Sequence, residues 1–327
     1  MMLTINGSYG EGGGQIVRNA VALSAITGEP VTIDRIRAGR DKPGLAAQHI
    51  GAVRAVMGTC DADVDGISAG SSILTFFPEK LKLCTVTVDV GTAGSIPLVI
   101  QSWLSVALWA GGTLRVTGGT DVQKSPTVDY LNHVLAKVLR SAGAEITMEI
   151  LKRGYYPEGG GEVLIELKRR SLSPIEPESI RDSGCGIVSS SSNLPPQVTE
   201  RQASAAAELL MREGISCTIR RDRHTGSSTG SSITIWRGAK GGSALGRRGV
   251  PAEKIGKIAA RAALDQFASP GIVDTYLSDQ LLVPIALFGG TYTASHLTSH
   301  AETTLWLLEQ FGYDVQFHHS SVAEFSA

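Results

Sequence analysis

The chain has 327 residues, 42% of them hydrophobic, enough for a sizeable core or two domains. Its 30 Lys and Arg against 31 Asp and Glu leave a net charge of -1, which excludes a nucleic-acid binder working by bulk positive charge and makes any such contact local. Four widely spaced cysteines, Cys60, Cys84, Cys185 and Cys217, form no Cys-x-x-Cys pair, so a disulfide framework or zinc site is not expected and a reducing compartment is.

The opening Met1 to Gly7 has neither a basic leader nor an apolar run of export length. Gly10 to Gly14 reads as a turn, and Gln15 to Thr27 as a helix with Ile16, Ala20 and Leu23 on one face. Pro30 to Ile36 is a short strand, Gly44 to Met57 a second helix and Ser72 to Phe77 another strand. The pattern then recurs: strand Cys84 to Val90, a small-residue turn, a helix to about Ala110, strand Thr113 to Thr117 and helix Tyr130 to Ala142. Gln101 and Ser102 interrupt the most apolar stretch, Ile96 to Gly111, which is shorter than the roughly twenty residues of a membrane span. The expected location is therefore cytoplasmic (or nuclear in a eukaryote), with no membrane. Helices alternating with strands at a period of roughly eighty to ninety residues suggest a repeated unit of one sheet and two helices.

From about Leu172 the chain turns polar. The stretch to about Gly271 has its own strands, Ser216 to Arg220 and Ser232 to Trp236, and a helix, Thr199 to Met211. It reads as an inserted smaller domain, 183–271, in a main domain of 1–182 and 272–327. Beyond it, a helix and an apolar strand, Leu281 to Phe288, return to the earlier style.

Chemistry concentrates first around the glycine turn. It is not a Walker A loop, since no Gly-Lys-Ser/Thr follows, and it lacks the spacing and acidic partner of a dinucleotide fingerprint. Taken alone, such a turn serves structure as readily as chemistry. Arg18 lies one turn from Gln15 at a helix start where backbone N–H groups favour an anion. Arg37, Arg40 and Lys42, on a loop bounded by Pro43 and Gly44, add cations suited to phosphate; a solvated basic loop is the alternative. The second glycine run, Arg153 to Val163, reads as a structural turn into the strand Val163 to Leu167.

Ser299-His300-Ala301-Glu302 fits a capping box, with Ser299 at the N-cap, which places His300 in the first turn of a helix. The positive end of a helix disfavours imidazolium, so His300 is a nucleophile candidate; a bland surface histidine, or a metal pair with His296, are the alternatives. His318 and His319 read as solvated. His224 with Arg220, Arg221 and Arg223 forms a basic patch that is either a solvated face or a polyanion contact.

Gly10-Glu11-Gly12-Gly13-Gly14-Gln15, Arg37-Ala38-Gly39-Arg40, Gly118-Gly119-Thr120-Asp121 and the Arg-Gly-x-x-Pro-x-Gly-Gly-Gly run at 153–161 together resemble the RNA 3′-terminal phosphate cyclases, from about residue 4 to about 311. The resemblance implies an α+β fold: a main domain of repeated units, each a four-stranded sheet backed by two helices, with an inserted smaller α/β domain. It implies ATP-dependent conversion of an RNA 3′-phosphate to a 2′,3′-cyclic phosphate through adenylyl-histidine and RNA-adenylate intermediates, releasing pyrophosphate and AMP. By position, His300 matches the nucleophile, although Ala301 to Thr304 depart from the Leu-Thr-Asn of many members and Glu302 puts an acid near a phosphate site. Tyr276, Leu277, Ser278, Asp279 and Gln280 match the nucleotide-binding run, with the Tyr276 ring stacking on adenine, and Gln101 and Pro126 match adenylate-site positions. Glu11 matches the metal-binding carboxylate, for Mg²⁺ or Mn²⁺. Arg18, Arg37, Arg40 and Gln48 are implied to hold phosphates of ATP or of the RNA 3′ end. Two rivals remain: a cyclase-like ribosome-biogenesis factor that binds without catalysis, and an enolpyruvyl transferase of related architecture.

Overall fold

A computed structural model describes residues 2–327. The first unit runs β1 (Leu3–Asn6), α1 (Gly14–Thr27), β2 (Val31–Asp34), α2 (Ala47–Cys60), β3 (Asp63–Asp65) and β4 (Leu74–Phe77). The second repeats it: β5 (Thr85–Asp89), α3 (Ile96–Ala110), β6 (Gly112–Gly118), a helix in three pieces, β7 (Glu145–Lys152) and β8 (Gly161–Lys168). That helix comprises α4 (Val128–Tyr130), a π-helical turn Leu131–Leu135 and α5 (Ala136–Ser141). The two sheets share one topology, β1-β2-β4-β3 and β5-β6-β8-β7, in which the first pair is parallel and the others antiparallel. The inner strands bury alternate residues, as in the buried-intermediate-buried-intermediate pattern of β2, and β5 alternates exposed and buried, so one face of each sheet is left for its helices.

The third unit departs from the expected four strands: its sheet has three, β13 (Thr291–Ala294), β15 (Ala323–Ser326) and β14 (Gln316–His319), in that order. The place of the missing parallel edge strand is taken by Ile175, fully buried, which makes a parallel bridge to Gly290. The smaller unit is spliced in just after this residue: β9 (Cys185–Ser192), α6 (Gln197–Arg212), β10 (Cys217–His224), β11 (Gly230–Arg237), β12 (Lys240–Leu245) and α7 (Ala252–Ala268). The chain then completes the third unit with α8 (Thr275–Gln280), α9 (Leu282–Phe288), β13, α10 (Ser299–Gln310), β14 and β15. A second hydrophobic core, built on Ile187, Ala206, Leu210, Ile233, Ile235 and Ala259, lies between the sheet β10-β9-β11-β12 and α6 and α7.

Three local expectations are corrected. The run 281–288 is helical, because a short, buried, continuously apolar segment has no period to separate strand from helix, and the glycine stop at Gly289 suits a helix end. The N-cap of α10 is Thr298, whose hydroxyl accepts from the Ala301 N–H at 3.0 Å; Ser299 is thereby freed for another partner, while His300 keeps its first-turn position. Cys185 and Cys217 form a disulfide, since parallel pairing of β9 and β10 places them opposite each other despite 32 residues of separation. Cysteine usage therefore no longer argues for a reducing compartment. No helix among the described residues is long and apolar enough to cross a membrane.

Candidate active site

Three segments build the site: the glycine turn before α1, the basic loop after β2 and the start of α10. Gly10 and Gly12 both have positive φ, so the turn takes a path that other residues resist, and Gly10 packs so closely on α10 that a Cβ there would stand 2.5 Å from the Thr303 hydroxyl. This brings Gln15 under His300. The Gln15 Nε2 donates to the His300 carbonyl at 3.0 Å, and because that carbonyl can only accept, the amide orientation is fixed. Gln15 Oε1 then faces His300 Nδ1 as an acceptor, which places a proton on Nδ1, so that in the neutral ring the lone pair is on Nε2. Nε2 lies 3.4 Å from Glu11 Oε2, on a side chain that is 49% exposed.

Glu11 is held from two sides. The Ser299 hydroxyl donates to Oε1, and Arg40 stands 3.6 Å from Oε2 while donating to the Glu11 carbonyl at 2.8 Å. The Ser299 hydrogen bond, and behind it the charge and hydrogen bond of Arg40, keep the Glu11 carboxyl below the usual range. Among the described residues no group of three or more His, Cys, Asp or Glu is arranged to hold a metal. A cation at Glu11 would thus have one protein carboxylate and take its remaining ligands from phosphate and water, a set that suits a hard cation such as Mg²⁺.

Beside this edge lies a small cavity lined by Gln15, Arg18, Gln101, Asp279 and Gln280. Burial pushes the Arg18 guanidinium down to about 10, which leaves it a cation at neutral pH, and pushes the Asp279 carboxyl up to about 7, with Arg18 opposing and Asp274 and Glu11 adding to the rise. Gln101 Nε2 and Gln280 Oε1 are buried with no hydrogen-bond partner. An orphaned donor and an orphaned acceptor in one cavity are unmet capacity of the kind a polar ligand satisfies.

The run 276–280 is only partly presented to this cavity. Asp274, fully buried and pushed up to about 6 by burial, caps α8 by accepting from the Tyr276 and Leu277 N–H groups at 2.8 and 2.7 Å. It also accepts from the Tyr130 hydroxyl at 2.7 Å and from Gly241 N–H at 2.7 Å, so one carboxylate fixes the run against both neighbouring units. The Tyr276 ring is 59% exposed and meets Tyr130 edge-on at 6.5 Å. Leu277 is core, and Ser278 is buried with an unpartnered hydroxyl. Pro126 is half-buried on the loop before α4, where its carbonyl accepts from Ser125. Two of the expected phosphate ligands also bond protein groups: Arg37 donates to the Gly44 carbonyl at 2.7 Å, and Gln48 accepts from the Ser95 N–H at 3.2 Å.

One residue escaped the sequence reading. His49, on α2, is buried, and its Nδ1 accepts from the Ala46 N–H at 3.0 Å. Its Nε2 abuts Gly14, where a Cβ would come within 2.0 Å of it. Burial, then the charges of Arg18 and Arg37, push it down to about 3, so it is a neutral spacer between cations. Its adjacency to Gln48 was the available signal. His296 is exposed with Nδ1 on the Ser295 hydroxyl, and His318 and His319 are exposed. The basic patch around His224 is internally paired: Arg221 and Arg223 with Glu200, Arg220 with Asp129 and His224 with Asp222.

Repeated βαβαββ units surrounding a histidine, a carboxylate and several arginines are the build of a phosphate-handling enzyme. The family is specific: residues 9–318 match the RNA 3′-terminal phosphate cyclases, and the chain belongs to that family. Relatives named RNA 3′-terminal phosphate cyclase include one from Methanococcoides burtonii, 43% identical over 319 residues covering 97% of this chain and 96% of the relative. Others come from Archaeoglobus fulgidus, 44% identical over 95% of each chain, and Pyrococcus furiosus, 44% identical over 95% of this chain and 93% of the relative.

Proposed function

We propose that this protein is an ATP-dependent RNA 3′-phosphate cyclase whose covalent nucleophile is Nε2 of His300. The observation that carries the reading is Gln15, whose amide holds the ring by its Nδ1 and leaves Nε2, the lone-pair nitrogen of the neutral ring, facing the carboxylate and arginine side of the site. Nε2 attacks the α-phosphorus of ATP, the P–O bond to the β-phosphate breaks and pyrophosphate leaves. The adenylyl group passes from His300 to an oxygen of the RNA 3′-phosphate, restoring the histidine. The adjacent 2′-hydroxyl then attacks that phosphorus, loses its proton and displaces AMP, which is why a ribose end is required.

Two anions, the Glu11 carboxylate and the incoming phosphates, meet beside the nucleophile, and charge accumulates in each transfer. Arg40 and Arg18 offset part of it. Glu11 would hold Mg²⁺ or Mn²⁺, which when bound neutralises phosphate charge. Gln101, Asp279 and Gln280 provide the polar lining for the nucleotide, with Tyr276 and Pro126 for its base and Ser278 and Leu277 shaping the run. Arg37 and Gln48 serve the phosphates indirectly, by fixing the basic loop and the start of α3.

Incubation with α-labelled ATP and Mg²⁺ tests this. The wild type should acquire an acid-labile covalent label and His300→Ala should not; an unlabelled wild type would refute the reading. We further propose residues 183–271 as a separate folding unit, since the second core draws only on that stretch. The isolated fragment should give a dispersed amide spectrum, and a collapsed one would count against it.

A further inference from the structure

The loop 7–11 is sandwiched. On one side it lies against the basic loop: the Gly7 N–H donates to Asp34, Arg37 N–H donates to the Gly7 carbonyl, and Arg40 holds the Glu11 carbonyl. On the other side it climbs α10 step by step, with Glu11 at Ser299, Gly10 at Thr303 and Tyr9 at Trp306. The last step is an aromatic stack, ring centroids 3.9 Å apart and planes 11° from parallel, with Tyr9 37% exposed. From Ser299 to Trp306 α10 rises about 10 Å, a distance one nucleotide can span from its phosphate.

We infer that the Tyr9–Trp306 stack is a platform for the terminal nucleobase of the RNA whose 3′-phosphate enters the His300 site, an inference that rests on the proposed function. Charge decides what goes on which side. The basic loop offers Arg35, Arg40 and Lys42, all exposed, to the phosphodiester backbone, whereas α10 exposes Glu302 and Glu309, which repel phosphate but not an uncharged base. Stacking on an aromatic face beside a cationic track is how single strands are held without reading their sequence, because every base has such a face. The occupant is therefore an unpaired 3′-terminal base of any identity.

The test uses the whole chain and a short single-stranded RNA with a 3′-phosphate, against the same RNA with an abasic terminal ribose 3′-phosphate. Equilibrium binding without ATP is one readout and α-labelled adenylylation of the protein the other. The wild type should bind the abasic end about 5- to 100-fold more weakly. Tyr9→Ala and Trp306→Ala should lose that preference while taking the ATP label normally, and Tyr9→Phe and Trp306→Phe should keep it. Equal binding of both RNAs by the wild type would overturn the platform, whatever the variants do. A raised ATP requirement for labelling in Tyr9→Ala would also overturn it, by assigning the stack to the nucleotide. Absence of any label from the wild type would instead refute the proposed function, because the binding comparison stands without catalysis.

Discussion

The chain has two glycine runs, each with an arginine near it, and they do opposite work. At 10–14 the turn opens outward: Arg40 is exposed and shares one half-exposed carboxylate with the histidine. At 153–161 the arginine is fully buried: Arg153 donates to Asp129 at 2.7 and 3.1 Å and to Asp222 at 2.7 Å, and lies 3.3 Å from Asp121. Asp121 and Asp129 belong to the second unit and Asp222 to the inserted one, so this guanidinium ties the two together. A cation left with spare donors at the surface can take a substrate anion, whereas one saturated by buried carboxylates can only hold the scaffold. Partner number and burial, not composition, separate the two.

The largest expected effect comes from breaking the saturated arginine. Arg153→Ala strands Asp121 and Asp129, both buried, with their compensating charge gone. Removing one partner of a buried pair costs about 3–5 kcal/mol, so a fall of that size in unfolding free energy, read from the lowered denaturant midpoint, is expected. A loss below about 1 kcal/mol would mean that water or Arg220 replaces the guanidinium, and the contrast between the runs would weaken.

The glycines sharpen the comparison next. Gly159, at φ +71°, has backbone atoms of Thr92 and Ala93 within 2.7 to 3.0 Å of where a Cβ would stand, and backbone yields poorly. Gly159→Ala should cost about 1–3 kcal/mol, read by thermal unfolding. Gly14→Ala meets first the His49 ring, a side chain rather than backbone, so it should cost less stability but displace the spacer between Arg18 and Arg37 and slow adenylylation. Equal stability losses would show that His49 is as rigidly held as backbone.

The first two units were legible in the sequence because their strands alternate and their helices start at glycine turns, signals that are local. The Arg-Gly-x-x-Pro run was legible as a turn, and its structural reading holds for Gly159 and Gly160. The three carboxylates around Arg153 were not: they stand 24 to 69 residues from it, and nothing local in the chain says which acids will meet it. Pairing across separate strands hid the Cys185–Cys217 disulfide for the same reason. In the site, the glycine turn, the arginines and His300 carried motif signals that singled them out. The cap at Thr298 was misplaced by one residue because Ser299 offers the same hydroxyl; the bond from Ala301 N–H to Thr298 and the contact of Ser299 with Glu11 distinguish them. The three-strand third sheet was hidden because the insertion follows its edge residue, Ile175, leaving no strand-length pattern to read.

A smaller effect separates the open site by pH. The Asp279 carboxyl is raised to about 7 in the folded protein against 3.8 in its absence. A raised carboxyl favours the protonated fold, so its contribution is fully present below the unfolded value and is lost as pH rises through about 7. Asp279→Asn, which mimics the protonated form, should gain on the order of 1–2 kcal/mol on the wild type at pH 8 and nothing at pH 4, allowing for the opposing charge of Arg18. Unfolding midpoints at the two pH values measure it. Equal differences at both would place the charge cost elsewhere in the site.

Arg40→Ala should have the smallest effect on stability and so tests the contrast most directly. Its partner, Glu11, is half-exposed and retains the Ser299 hydroxyl, and pairs of this kind contribute about 0–1 kcal/mol. The denaturant midpoint should hardly move, while the rate of adenylylation falls because a charge facing the incoming phosphates is gone. Arg40→Lys should recover part of that rate, since the point charge returns without the guanidinium fork. If Arg40→Ala instead unfolds the protein as Arg153→Ala does, the open arginine is also scaffold, and exposure with spare donors would no longer mark which glycine run serves the chemistry.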